Sequence, residues 1–420
     1  MTPQKSICIP ATPPVDIADF LPIIEHPHFQ RLRERKQLGI NYLVFPGAVH
    51  TRFEHAIGVL ALTQRLCRIQ KFTHDEAQLL QGFALLHDIG HGPFSHQIES
   101  VLPGDHHERG LRRIRDMAEP IAACGISPND MMRMLKGEIT LANWISDRNL
   151  GTDKLDYLMR DALHIGFHGT PDIEKLQFYT VFTYDGLAIE QKFIEDAKQL
   201  QKFYSYLHQH GYLNKTALAA QRMLQRAVQQ ELALRQDTGD SLWDMTDSQL
   251  ENWLETVEHP VSRKLVDALR KRDLYKTFFA IKPMGYGYVE RQADKPIAVS
   301  EWLQPSLHDF SLYAQDYKKL IALEDEIALE LGCEPGDILF AAMPYFKKLL
   351  PKDLRVFSSS RSQHDFWLLE NDQDHLNSLE SDYLRTFAIR LVAPSSAREK
   401  LSQKPGHIER IILENTIIKE

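Results

Sequence analysis

The chain has 420 residues but only four cysteines, Cys8, Cys67, Cys124 and Cys333. They lie far apart, with no Cys-x-x-Cys pair, so they read as free thiols of a reducing compartment and not as a disulfide frame or a zinc knuckle. No apolar run approaches the ~18 residues of a membrane span, so no membrane partner is expected. The first ten residues lack the apolar core and small-residue cleavage site of a secretory signal, and a cytoplasmic protein is expected. A basic excess is missing too: 49 Lys and Arg face 57 Asp and Glu, a net charge of −8. That sign gives no support to a nucleic-acid partner, although an enzyme of polyanionic substrates needs only a local basic pocket. Internal repeats and low-complexity segments are absent.

Histidine is what the chain has in excess, and it is unevenly placed. Twelve of nineteen lie between His26 and His168. Surface solubility does not explain that bias, whereas metal ligation and proton transfer do. Three strings stand out: TRFEH at 51–55, HDIGHGPFSH at 87–96 and GTDKLDY at 151–157. A single His-Asp dipeptide would carry little weight. Three histidines, an aspartate and two glycines within ten residues, after an amphipathic helix, carry much more. Brought together, His55, His87, Asp88 and Asp153 would form a mixed nitrogen/oxygen site for a divalent metal. Adjacent ligands such as His87 and Asp88 converge only at a helix end, and Gly90 and Gly92-Pro93 supply the break. His91, His96, Glu99 and His107 follow the site and read as orienting groups for its ligands.

The pattern predicts mainly α structure. Apolar spacing predicts a helix from Arg52 to Gln70, and Thr73 to Glu76 forms a capping box opening the helix that ends at His87. A third helix is expected from Asp153 to Ile165, halted by Gly166, with Asp153, Tyr157 and Asp161 on one face. The plain alternative for it is a surface helix with ordinary i,i+4 pairs, such as Asp156 with Arg160. Another helical block runs from Asp196 to about Arg235. The expected division is an irregular segment 1–20, a helical core 21–235, a helical extension 236–334 and a small C-terminal α+β module 335–420. In that module Leu354–Ser358, Asp365–Glu370 and Phe387–Pro394 read as strands, bounded by Ser, Asn, Asp and Pro.

With these motifs goes FQRLR at 29–33, KQLG at 36–39, VFPGA at 44–48, RFEHAIGV at 52–59, His107-Glu108, Arg160-Asp161 and, more weakly, YLNKT at 212–216. In this order they resemble the HD-domain phosphohydrolases of the deoxynucleoside triphosphate triphosphohydrolase type. The resemblance implies an HD-type helical core and hydrolysis of a dNTP to deoxynucleoside and triphosphate by water attack at the α-phosphorus. It makes His55, His87, Asp88 and Asp153 the metal ligands; iron, manganese, zinc, nickel and cobalt all suit such a donor set chemically, and magnesium can accompany the nucleotide. It places His96 and His107 beside the α-phosphate, with His96 as general acid; Glu99 stands where the family has Asp, and His106 reads as a bystander. Arg52, Lys154, Tyr157, Asp161, Tyr212 and Lys215 match substrate contacts, with Asn214 where a His is common. Glu25, Gln30 and Arg33 match part of an effector site, but the Asp-Pro-x-His-Gly start of that site is missing from Cys8–Ile17. The resemblance also implies a homo-oligomer, a dimer or larger. Two alternatives remain. One is HD-domain hydrolysis of another phosphate ester, such as a nucleoside monophosphate, cyclic nucleotide or alarmone. The other is a nucleotide or nucleic-acid sensor with vestigial catalysis.

Overall fold

The structure, a computed structural model, describes residues 5–184, 186–291, 295–344, 346–358 and 365–416. It is mainly helical, as expected, with small sheets. Two compact units form. The first takes residues 1–207, 240–250 and 351–376; the second takes 208–239, 251–350 and 377–420. The tail 335–420 therefore contributes to both units.

In the first unit, α1 (Arg52–Gln70) packs on α2 (His74–Leu86) and on α5 (Thr152–Ile165). Between α2 and α5 come α3 (His96–Glu99) and α4 (His106–Asp116). Helix α1 is buried along most of its length, from Phe53, Ala56 and Ile57 to Leu66, so it is a core helix and not an amphipathic surface one. Helix α2 opens with both halves of its capping box, Thr73 to Glu76 N and Glu76 to Thr73 N. Helix α5 ends on Gly166, whose φ of 78° lies in the left-handed region that costs glycine nothing. Helix α6 (Ile194–Leu207) completes the helices that concern the site. A four-stranded sheet, in the order β1 (Thr180–Thr183), β2 (Gly186–Glu190), β6 (Arg355–Phe357) and β7 (Phe366–Trp367), joins a hairpin to strands from the tail.

The second unit is built on α7 (Lys215–Arg235), which packs on helix Pro260–Arg270 and on β5 (Leu339–Ala342). Its sheet runs β4 (Ala298–Trp302), β3 (Lys276–Pro283), β8 (Ile389–Ala393), β5. Strand β8 is antiparallel to both neighbours, with Ile389 opposite Ile281 and Ala342. The stretch 236–334 is thus not the helical extension expected from sequence, because it carries β3 and β4. Strand β3 is buried at every residue but its first, so it lacks the alternation that marks a half-exposed strand. No helix among the described residues is long and apolar enough to cross a membrane.

Candidate metal centre

Three of the four expected ligands, His55, His87 and Asp153, form one group whose donor atoms lie within 4.8 Å of one another, and Asp88 flanks it beside both imidazoles. Thr51 caps α1, its hydroxyl accepting from Glu54 N at 3.3 Å, and this sets Arg52 and His55 in the first turn. His87 is the C-terminal cap of α2, and Asp88 lies in the turn beyond it. Asp153 sits in the first turn of α5. His55 Nε2 lies 3.1 Å from Asp153 Oδ1 and 3.7 Å from Asp88 Oδ2. His87 Nε2 is 3.6 Å from each of the same two oxygens. Donors ~2.1 Å from a common ion stand about 3.0 Å apart across an octahedral edge and about 3.4 Å across a tetrahedral one. The observed spacings match such edges. Among the described residues both Nε2 atoms are buried without a hydrogen-bond partner, which a folded chain seldom tolerates. A divalent ion would satisfy both, and two imidazoles with two carboxylates suit one.

The opposite ring nitrogens are fixed. His55 Nδ1 donates to Asp156 Oδ2 at 2.8 Å, and His87 Nδ1 donates to Ala84 O at 2.9 Å. Each bond leaves Nε2 as the lone-pair nitrogen facing the site. Asp156 is not on the surface: it is buried and takes Arg160 Nε at 2.9 Å and Nη2 at 2.8 Å. Arg160 Nη1 goes on to Glu54 Oε1 at 2.9 Å. Burial opposes the Asp156 charge, but Arg160 and His55 outweigh it and hold the carboxyl below its usual range. Burial likewise opposes charge on His55, yet Asp153 and Asp156 push its pKa up to about 10. A proton on His55 Nε2 would therefore compete with any metal ion offered to that nitrogen. Arg52 is buried and pairs with Asp88 Oδ2, while its Nε donates to Ser95 Oγ at 2.9 Å.

A second cluster adjoins the first. His91 is buried, with Nε2 at 3.4 Å from Asp88 Oδ1, and burial together with Arg52 keeps its pKa well below the ordinary value. Glu99 receives His96 Nδ1 at 2.9 Å on one oxygen and His106 Nδ1 at 2.7 Å on the other. His96 is the open member, its side chain 64% exposed against 15% for Glu99. Sequence reasoning passed over His106 in favour of His107. The structure puts His106 on Glu99 and stacked 4.1 Å from His91, with the more exposed His107 beside it. Gly90 makes this possible. A Cβ there would stand 2.5 Å from Gly110 N and collide with His106 O, so only glycine lets α4 close on the ligand loop.

The expected substrate contacts are placed less simply. Tyr157 is half-buried on α5. Asp161 is buried, its Oδ1 at 2.7 Å from His50 Nε2, and His50 stacks at 4.2 Å on His164. Lys154, expected to bring charge to phosphates, is buried; its amine donates to Arg148 O at 2.6 Å and lies 3.6 Å over the Tyr204 ring. Burial lowers its pKa to about 7, so at neutral pH it contributes less than a full charge. Gln30 takes Arg33 Nε at 2.8 Å, and Arg33 lies over Phe53, while Glu25 is exposed nearby in sequence. Tyr212 and Lys215 belong to the second unit. There Asn214 is the N-cap of α7, accepting from Thr216 N and Ala217 N, which gives a local reason for Asn at that position.

Residues 52–153 match the family model of the HD domain, a span that opens one residue after the α1 cap and closes on Asp153, the fourth expected ligand. The chain carries an HD domain. An uncharacterized protein of Methanocaldococcus jannaschii is 28% identical over 95% of this chain and 80% of its own length. The deoxynucleoside triphosphate triphosphohydrolase SAMHD1 homolog of Dictyostelium discoideum is 29% identical over 62% of this chain. That match spans 57% of the Dictyostelium protein, little more than half its length. Among solved structures, a phosphohydrolase of Bacteroides thetaiotaomicron superposes with a TM-score of 0.70 at 22% identity, over 93% of this chain and all of that one. This likeness extends the shared fold well beyond the HD domain itself.

Proposed function

We propose that the protein is a metal-dependent nucleotide phosphohydrolase that converts a dNTP to deoxynucleoside and inorganic triphosphate. One observation carries the reading: two imidazole nitrogens with no partner among the described residues form one donor group with the Asp153 carboxylate, with Asp88 flanking them, next to an exposed imidazole tied to a carboxylate. The similarity to a curated triphosphohydrolase supports the substrate class. His55, His87, Asp88 and Asp153 would hold a divalent ion, which would supply Lewis acidity to the phosphoryl group and to the attacking water. The chain's own residues do the rest. Asp156 and Ala84 O aim the ligands. Arg52 neutralises Asp88 and brings a guanidinium to the site's edge. His96 keeps Nδ1–H on Glu99, so Nε2 is the nitrogen that gives its proton to the departing 5′ oxygen as the P–O5′ bond breaks. Tyr157, one turn after Asp153, would close the sugar pocket against a 2′-hydroxyl.

The test is a mixed panel of dNTPs and NTPs incubated with metal-replete protein, with products identified by mass. Intact triphosphate and a deoxynucleoside are expected. Orthophosphate or pyrophosphate would replace this reading with hydrolysis of another phosphate ester, and no turnover of any nucleotide would favour a sensor.

A further inference from the structure

We infer that His106 is a positioning residue for the proton-donating dyad, pinning the long Glu99 side chain so that its second oxygen is presented to His96. Glu99 has one more rotatable bond than aspartate and, left alone, would hold His96 loosely. In this chain it is not alone. One oxygen, Oε1, accepts both the backbone N–H of His106 at 3.0 Å and its Nδ1–H at 2.7 Å. The other, Oε2, accepts His96 Nδ1–H at 2.9 Å. His106 opens α4, so the helix start adds its amide to the grip, and Gly90 locks that start against the ligand loop. The imidazole is fixed from its other face by His91, parallel at 4.1 Å. His106 is also well covered, its side chain 16% exposed, while His96 remains open.

The same residues invite another reading, a cation bound by His91, His96, Glu99 and His106, whose donor atoms lie within 4.8 Å of one another. The spacings decide against it. Glu99 meets its imidazoles at 2.7 and 2.9 Å, hydrogen-bond lengths. Across the ligand cluster the corresponding spacings are 3.1 to 3.7 Å. The titratable groups facing Glu99 are His96 on its own helix, His106 and His107 from α4, and His91 from the ligand loop. Burial opposes the Glu99 charge, and His106 and His96 reverse that, holding the carboxyl far below its usual range.

The experiment uses the full-length, metal-loaded protein and the variants His106→Ala, His106→Asn, Glu99→Asp and Glu99→Asp/His106→Ala. Two arms need no substrate, so they stand apart from the proposed phosphoryl chemistry on which the third arm rests. Carbon NMR of the Glu99 carboxyl should show its titration moving up in His106→Ala and staying low in His106→Asn, whose amide takes the place of Nδ1–H. Metal content should be unchanged in every variant. With a turned-over nucleotide, His106→Ala should lose about tenfold in kcat with KM nearly constant, and His106→Asn should recover most of it. The double variant should be no worse than Glu99→Asp, since both changes break one linkage. An unmoved Glu99 titration in His106→Ala, a double variant losing the product of the single losses, or release of a metal equivalent would each overturn the inference.

Discussion

Gly58→Ala is expected to weaken metal binding without altering any ligand or any charge. Gly58 lies in α1, one turn after His55, against the Asp156–Arg160 pair. A Cβ there would stand 2.7 Å from Asp156 Cγ and closer still to Asp156 Oδ1 and Arg160 Nη2. Real Cβ atoms essentially never come under 3.0 Å, so the pair must retreat. Asp156 is what holds His55 Nδ1, at 2.8 Å. Loss of such an outer partner typically costs 10–100-fold in metal affinity, roughly 1.4–2.7 kcal/mol. For stability two terms oppose each other: alanine gains about 1 kcal/mol over glycine in a helix interior, and breaking a buried ion pair costs about 3–5 kcal/mol. A pair strained but not broken leaves a net loss of roughly 1–3 kcal/mol. The assay is metal titration of the folded variant against a chelator of known affinity, with Asp156→Asn as a same-shape control. Wild-type affinity in folded Gly58→Ala would refute the idea that Asp156 governs His55.

His87→Ala with Asp88→Ala should abolish metal binding by elemental analysis, and full retention would overturn the ligand assignment. Tyr157→Ala should raise activity on ribonucleotides relative to deoxyribonucleotides; a wild-type enzyme that treats both alike would reject the sugar-pocket model. The protein should be a homo-oligomer, most simply a twofold dimer, whose basal activity needs no guanine nucleotide, because an effector acts only through differential affinity and the chain lacks the Asp-Pro-x-His-Gly start that the resemblance would call for. Light scattering with dNTP hydrolysis in the presence and absence of GTP checks this, and strict GTP dependence would contradict it. Lys282→Met should stabilise the second unit in a pH-dependent way. The Lys282 amine is buried and donates to Arg385 O, and burial and Arg390 lower its pKa to about 7. Folding then binds fewer protons than the unfolded chain, a loss absent above pH ~10.5 and complete below pH ~7. Urea denaturation should show a gain of roughly 2–4 kcal/mol at pH 6 and almost none at pH 10.5, after about 1 kcal/mol for the lost hydrogen bond; an equal gain at both would sink the reasoning.

The helices of the first unit were legible because their signals are local. Thr73 and Glu76 mark a start by their own hydrogen bonds, and Gly166 marks a stop by its own φ. Strand pairing has no such local signature. The tail strands read correctly at Arg355–Phe357 and Ile389–Ala393, since turn residues flank them, but nothing near them says that they join different sheets. β3 was missed for the opposite reason: with both faces buried it shows no periodicity, and a short apolar run fits helix and strand alike.

At the site, legibility followed chemistry and stopped at geometry. Metal ligands need rare residue types in close strings, so three motifs and the family resemblance single out His55, His87, Asp88 and Asp153 as candidates, and the structure sets them near one another. The groups that aim them are ordinary residues in ordinary places. Asp156 and Arg160 at i, i+4 look like any solvated pair, and only their burial gives them a role. One signal was available: carboxylates at 153 and 156 lie one turn apart, near enough for the two nitrogens of a single imidazole to take one each. His106 and His107 show the limit. Neighbours on a helix point about 100° apart, and of the two it is the His106 ring that bonds Glu99. Which one is set by how α4 docks on Gly90, a contact between residues 16 positions apart in the sequence. Adding a methylene to the acid in that dyad shifts the distance over which it must be braced. A chain with Glu at 99 therefore needs a partner on a second element, and His106 is where this fold provides it.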